Sequence, residues 1–219
     1  MSIQKVKYPR TYHLPYSLTL TDDDKRLSSD EHFKDFTEVI VTAKMDGENT
    51  TVYSDGTMHA RSLDGNKHEW QTWLKTDMQR WCYDIPEGWR VCSENLYSQH
   101  SIAYHFSSAS ELFQVFGVYD DKNTCIAWDK VIEWCELLSI EHVPVIYRGA
   151  YDKDAILKAF QEFQANQDDE VEGFVVRNAA EFKWEDFAKN VGKFVRANHV
   201  QTDAHWTECW KPNEVKGIQ

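Results

Sequence analysis

The triplet Ser54-Asp55-Gly56 constrains this chain more than any other local feature. It separates two short runs of strand character, residues 49–53 and 57–61, and a Ser/Asp/Gly cluster there favours the positive-φ backbone of a tight turn. Just upstream, residues 39–43 form an apolar, β-branched run that also reads as a strand. Taken together, the three runs predict an up-down-up antiparallel meander. Such a meander would return Arg61, at the end of its third strand, to the rim where the first strand ends at Lys44. An amine and a guanidinium at one rim suit an anionic phosphate ligand.

Downstream, helix and strand patterns follow one another without regular alternation. Trp70, Trp73, Leu74, Met78 and Trp81 fall on one face of a helix predicted over 69–82. Pro86-Glu87-Gly88 breaks the chain before a strand at 89–92, and 112–119 reads as a buried strand. Trp128, Val131, Ile132, Cys135 and Leu138 have helical spacing. Residues 143–147 suit a strand, with Pro144 placing it at a sheet edge because proline donates no ladder hydrogen bond. Asp152 can cap a helix that buries Ala155, Ile156, Ala159, Phe160 and Phe163. Strands at 171–177 and 191–196 complete an α+β pattern built around antiparallel sheet. With no repeat, low-complexity tract or Gly/Ser linker, residues 1–219 are expected to form a single domain.

Charge and cysteine usage narrow the function. A formal net charge of −12 argues against a broad electrostatic grip on nucleic acid, so phosphate contacts must be local. Lys5, Lys7 and Arg10, or Lys183, Lys189, Lys193 and Arg196, can supply them. The acidic runs Asp22-Asp23-Asp24 and Asp168-Asp169-Glu170 read as solvated loops. Five cysteines without a C-x-x-C pair, no secretory leader and no apolar run of about 18 residues predict a soluble, cytoplasmic protein with free thiols and no zinc site. His199 and His205 lie six apart, a poor spacing for a helical metal pair, and His100 and His105 receive no role. Trp206 and Trp210, one helical turn apart, are expected to anchor the C-terminal segment.

The stretch with chemical potential is Lys44-Met45-Asp46-Gly47-Glu48. A K-x-D-G tetrad alone decides little, since ordinary composition produces one in roughly one chain in twenty of this length. Its company is more specific. Arg61 follows it, then Ser93-Glu94-Asn95-Leu96-Tyr97, then Phe113-Gln114-Val115-Phe116-Gly117-Val118-Tyr119-Asp120, then Glu172-Gly173-Phe174-Val175-Val176-Arg177, then Lys193-Phe194-Val195-Arg196. In this order the segments resemble the collinear motifs of the covalent nucleotidyltransferases, and within them the bacteriophage RNA ligase 2 type. The opening Tyr8-Pro9-Arg10-Thr11-Tyr12-His13-Leu14-Pro15 and the tail His199-Val200-Gln201-Thr202-Asp203 are similar to family segments as well.

The resemblance implies a nucleotidyltransferase (ATP-grasp-like) core of antiparallel sheets flanked by helices, and an ATP-dependent RNA ligase. Lys44 would attack the α-phosphorus of ATP to form a lysyl-AMP. AMP would then pass to a 5′-phosphate, and a 3′-hydroxyl would displace it to seal the strand. Asp46 and Gly47 belong to the nucleotide-accepting motif, and Arg61 is its companion arginine. Glu94 would bind the ribose, and Phe116, with Phe113 as the competing choice, would stack on the base. Glu172 would hold Mg²⁺ or Mn²⁺, and Lys193 would contact the α-phosphate. A free lysine has a pKa near 10.4, so burial and nearby cations are expected to keep Lys44 neutral.

Three departures qualify the match. Ala43 stands where relatives often carry a glutamate that reads the adenine amino group, which leaves GTP as an alternative, as in a capping-type guanylyltransferase. Val195 stands where a second lysine is common, with Arg196 or Lys189 as substitutes. The chain also stops soon after the last motif, so no C-terminal OB domain is expected and a partner protein is an alternative means of gripping RNA ends. A non-catalytic nucleotide- or RNA-binding module is the reading from another class. The retained Lys44, Glu94, Glu172 and Lys193 argue against it.

Overall fold

A computed structural model describes residues 4–20, 24–63, 68–197 and 210–217. In chain order the first elements are β1 (Tyr12–His13), β2 (Val39–Lys44), β3 (Glu48–Tyr53), β4 (Met58–Ala60), α1 (Gln71–Asp77) and β5 (Arg90–Asn95). Next come β6 (His105–Phe106), β7 (Phe113–Tyr119), β8 (Thr124–Cys125), α2 (Trp128–Leu138), β9 (Glu141–His142) and β10 (Val145–Gly149). The last are α3 (Lys153–Ala165), β11 (Gly173–Asn178), β12 (Phe182–Lys183), α4 (Phe187–Asn190), β13 (Val191–Val195) and β14 (Glu214–Val215).

These strands form two larger sheets. One has the order β1-β13-β11-β2-β10, the other β12-β8-β7-β5-β3-β4 with β9 added beside β7. A separate parallel pair joins β6 to β14. Pairings are antiparallel except β1–β13, β7–β9 and β6–β14. The α+β expectation holds, and no sheet closes into a barrel among the described residues.

The meander does not form as expected. β3 and β4 make the hairpin, with Gly56 at φ +74° and the Thr57 amide donating to Asp55 Oδ1 at 2.9 Å. β2, however, pairs with β10 and β11 and lies in the other sheet. Residues 45–47 therefore carry the chain from one sheet to the other rather than round a hairpin. Local sequence encodes the turn, but β2 finds partners more than 100 residues downstream, which short-range pattern does not reveal.

Alternation along β2 explains the layering. Val39, Val41 and Ala43 pack outward on Ile156 and Phe160 of α3 and on Phe174, Val176 and Phe194. Thr42 and Lys44 face the opposite way and line the cleft between the sheets. The seven-stranded sheet buries Val52, Val91, Phe113, Val115 and Val118 under Leu74, Met78 and Trp81 and under Trp128, Val131 and Cys135 of α2. Each large apolar side chain buried in this way contributes about 1.5–3 kcal/mol. Asp152 caps α3, accepting from the Asp154 and Ala155 amides at 3.0 Å each, and β10 after Pro144 lies at a sheet edge as expected.

The helix expected over 69–82 is shorter. α1 ends at Asp77 and the chain tightens into 3₁₀ turns at Met78–Arg80 and Cys82–Asp84, because Trp81 leaves helical backbone (φ −140°) to bury its ring. Cys82, Cys92, Cys125 and Cys135 are buried free thiols, while Cys209 lies outside the described residues. Trp210 packs on Trp70 and Tyr97, consistent with anchoring of the tail. Trp206, His199 and His205 lie outside the described residues. No described helix is long and apolar enough to cross a membrane.

Candidate active site

A cleft of about 350 Å³ opens between the two sheets. Its floor on the five-stranded side is a row of alternate residues, Thr42 and Lys44 on β2, Val175 and Arg177 on β11, and Val191 and Lys193 on β13. Strand register brings them together: Thr42 lies opposite Val175, and Val175 opposite Lys193. The seven-stranded side supplies Asn49 and Glu94, which face each other across β3 and β5, and Phe116 from β7. Arg61, just past β4, reaches the rim and lines the same cleft as Lys44. That juxtaposition survives although the meander that predicted it does not.

Phe116 owes its position to a β-bulge. Cys92 pairs with Gly117 and Ser93 with Val115, which leaves Phe116 as the extra residue on β7. The bulge flips the alternation, so Phe113, Val115 and Val118 enter the core while Phe116 turns to the cleft, 4.9 Å edge-on from Tyr8. Phe113 is 2% exposed and packs on Trp81, so it is a core residue and not a competitor for the cleft.

Lys44 meets Glu172 in a direct ion pair, and the Glu172 side chain is 7% exposed. Gly173, the next residue, is the register partner of Lys44, so the strand pairing itself delivers this carboxylate to the amine. Burial pushes the Lys44 pKa down, but the charges of Glu172 and Glu94, the hydrogen bond to Glu172 and the charge of Asp46 together outweigh it. Its pKa is therefore raised, contrary to the expected neutral amine. The reason is that the Glu172 carboxylate touches the amine and the charges of Glu172, Glu94 and Asp46 act on it together.

Burial pushes the Glu94 carboxyl up; the Lys44 charge opposes this, the charges of Glu172 and Asp46 add to it, and it settles at about 8. Glu94 Oε1 also accepts from the Gly47 amide at 3.1 Å. Gly47 must be glycine here, since a Cβ would lie 2.6 Å from the Asn95 carbonyl oxygen and 2.8 Å from Leu96. Asp46 points away from the cleft, and its Oδ2 accepts from the Ser101 and Ile102 amides at 2.8 and 2.9 Å. Asp46 and Gly47 thus shape the loop beside Lys44 rather than line the cleft.

Lys193 projects into the cleft with its Nζ 3.0 Å from Asp24 Oδ1. Burial lowers its pKa, Lys44 lowers it further, and Asp24 opposes both. Asp24 is therefore not the solvated loop residue expected from its acidic run; its side chain is 17% exposed because Lys193 and His13 hold it. Asp22 and Asp23 lie outside the described residues.

Of the other expected phosphate contacts, Arg10 lines the cleft. Lys183 donates to Thr124, Lys189 pairs with Asp186 and Arg196 pairs with Glu170, so neither proposed substitute for the second lysine faces the cleft. Tyr8, Asn49 and Arg177 are lining residues that the sequence reading did not select. Tyr8 stood inside a segment quoted for its resemblance, and the i, i+2 relation of Arg177 to Val175 was available once the strand was assigned. Asn49 had no such marker.

A family model described as RNA ligase matches residues 37–195, most of the chain, including the strands that carry Lys44, Glu94, Phe116 and Lys193 and the residue Glu172 that precedes β11. The chain belongs to the RNA ligase family. Its core is that of the covalent nucleotidyltransferases. Among solved structures, this RNA ligase family member resembles a variant of the Naegleria gruberi RNA ligase with ATP and Mn (TM-score 0.54, 15% identity, 84% of this chain and 57% of that one). It also resembles an archaeal ATP-dependent RNA ligase (TM-score 0.56, 16% identity, 86% of this chain and 48% of that one). At such identities the likeness is one of fold, and the chain spans only about half the length of these structures. No curated protein matches it.

Proposed function

We propose that the protein is an ATP-dependent RNA ligase that captures AMP on Lys44 and joins 3′-hydroxyl to 5′-phosphate ends. The observation that carries this reading is the convergence of Lys44, Arg61, Glu94, Phe116 and Lys193 on one cleft, with Glu172 touching the amine. In this reading Phe116 and Tyr8 hold the base, Glu94 accepts from ribose hydroxyls, and Lys193 and Arg61 contact phosphates. The Lys44 Nζ attacks the α-phosphorus, a P–N bond forms, and the bond to pyrophosphate breaks. The attack requires Lys44 to give up the proton that its carboxylate neighbours help it keep; the Glu172 carboxylate in contact with it offers that proton a path.

Glu172 would also hold a divalent ion. No group of three or more His, Cys, Asp or Glu side chains forms a metal cage among the described residues. A single carboxylate together with nucleotide phosphates is a mode of binding that Mg²⁺ or Mn²⁺ would accept. Such an ion would offset charge on the phosphoryl oxygens. Asp46 and Gly47 serve by fixing the Lys44 loop. We further propose that the catalytic unit is a single domain and that RNA ends are its substrate, with or without a partner protein.

Gel ligation of matched RNA, DNA and hybrid nicks with ATP or GTP tests this reading. The expected result is sealing of RNA ends with ATP, lost in Lys44→Ala. Sealing of no RNA end, or dependence on GTP alone, would reject it. The GTP arm matters because Ala43, the residue before Lys44 on β2, offers no side-chain acceptor for the adenine amino group.

A further inference from the structure

We propose that Asp24 is the positioning residue that holds the Lys193 ammonium in the cleft, with His13 as its support. This rests on the reading of Lys193 as the α-phosphate contact. One carboxylate oxygen, Asp24 Oδ1, lies 3.0 Å from Lys193 Nζ and 3.2 Å from His13 Nε2. The contact to His13 lacks the alignment of a full hydrogen bond.

The arrangement is anchored on every side. The His13 amide donates to the Lys25 carbonyl at 2.7 Å and the Leu27 amide to the His13 carbonyl at 2.8 Å, so the segment after Asp24 is laced to β1. β1 in turn runs parallel to β13, with His13 the register partner of Lys193. His13 Nδ1 lies 2.7 Å from Ser17 Oγ, and that hydroxyl accepts from the Val195 amide at 2.9 Å. Val195 is two residues past Lys193 on the same strand. A closed circuit therefore runs from β13 through Ser17, His13 and Asp24 back to β13.

Electrostatics explain why the cleft needs this carboxylate. Lys193 is enclosed by burial and faces Asp24 from the 24–27 segment, His13 from β1, Lys44 from β2 and Glu172 from just before β11. Burial and the Lys44 charge both favour loss of the Lys193 proton, and burial and the Lys193 charge favour a neutral His13. Glu172 pairs with Lys44 and supports the Lys193 charge only from a distance, as the smallest of the influences on it. Asp24 is thus the carboxylate in contact that keeps Lys193 charged and limits its rotamers. A partly buried ion pair contributes little net stability, so its selection for orientation is the more economical account.

The test measures the rate of nucleotide transfer to Lys44 as a function of pH. In Asp24→Asn, with its shape kept and its charge removed, the rate should fall roughly tenfold or more. The Lys193 ammonium should also be lost at lower pH, so the alkaline limb of the profile moves toward acid. Lys193→Arg in the Asp24→Asn background should return that limb toward the wild type, because a guanidinium does not titrate there. A folded Asp24→Asn protein with the wild-type rate and profile would overturn the proposal. If Asp24→Asn does not fold, Asp24→Ser is judged by the same profile. Lys193→Ala separates the two levels. Retained transfer in that variant contradicts the role of Lys193, whereas lost transfer beside an unaltered Asp24→Asn contradicts only Asp24.

Discussion

Glu172 reaches Lys44 because Gly173, the first residue of β11, is the register partner of Lys44, the last residue of β2. Lys44 and Glu172 are 128 residues apart in the chain. They are fixed to each other by backbone ladder hydrogen bonds rather than by a loop. Such a pair is stiff, which suits a reaction in which the amine must meet phosphorus in line.

Glu172→Gln keeps the side-chain volume and removes the charge. Transfer of labelled nucleotide to Lys44 is expected to fall about 100-fold, since both the aim of the amine and its route for proton loss are damaged. A single-turnover assay with radiolabelled ATP reads this directly. A rate within twofold of the wild type would show that the contact has no part in the chemistry.

Glu94 gives the fold a pH signature. Its carboxyl is raised to about 8, from an ordinary value of 4.5, so the folded state binds a proton between those values that the unfolded state has released. This contribution to stability is fully present below about 4.5 and is lost as pH rises through about 8. Glu94→Gln should therefore raise the Tm at pH 8.5 relative to the wild type and leave it nearly unchanged at pH 4.5. A gain of about 2 kcal/mol corresponds to roughly 4–8 °C for a chain of this size. Thermal melts at the two pH values check it, and an equal shift at both would contradict the assignment.

Phe116 and Phe113 separate binding from folding. Phe116→Ala should weaken apparent ATP affinity by about 1–3 kcal/mol, roughly 5- to 150-fold, with a modest change in Tm. Phe113→Ala should cost about 3–5 kcal/mol of stability, because its ring lies in the core against Trp81. Nucleotide titration and thermal melting of both variants form the comparison.

These two phenylalanines show where the sequence was legible and where it was not. The strand that carries them, the buried faces of α2 and α3, the Asp152 cap of α3 and the edge position after Pro144 followed from period, capping and proline chemistry. The bulge at Phe116 did not, because a single extra residue leaves composition unchanged and is exposed only by the cross-strand register with β5. The separation of β2 from β3 was hidden for a similar reason: turn signals are local, and sheet partnership is not. Lys44, Arg61, Glu94 and Lys193 were chosen from ordered motifs and meet on one cleft. The protonation of Lys44 and the placement of Asp24 depend on which charges become neighbours, and that is a property of packing.

Asp46 offers a test of the loop that follows Lys44. Asp46→Ala leaves the Ser101 and Ile102 amides without their carboxylate acceptor. The expected cost is about 1–3 kcal/mol of stability, together with slower transfer to Lys44 at unchanged apparent ATP affinity. Denaturant melts and single-turnover rates check the two parts. A variant as fast as the wild type would show that the loop does not aim the amine.

The central claim is that Lys44 becomes covalently bonded to a nucleotide. Intact-mass analysis and peptide mapping, after incubation with ATP and Mg²⁺ or Mn²⁺, test it most directly. The account predicts one added AMP, located on the peptide containing Lys44 and absent in Lys44→Ala. An unmodified Lys44 under those conditions, or an adduct that persists in the alanine variant, would contradict it.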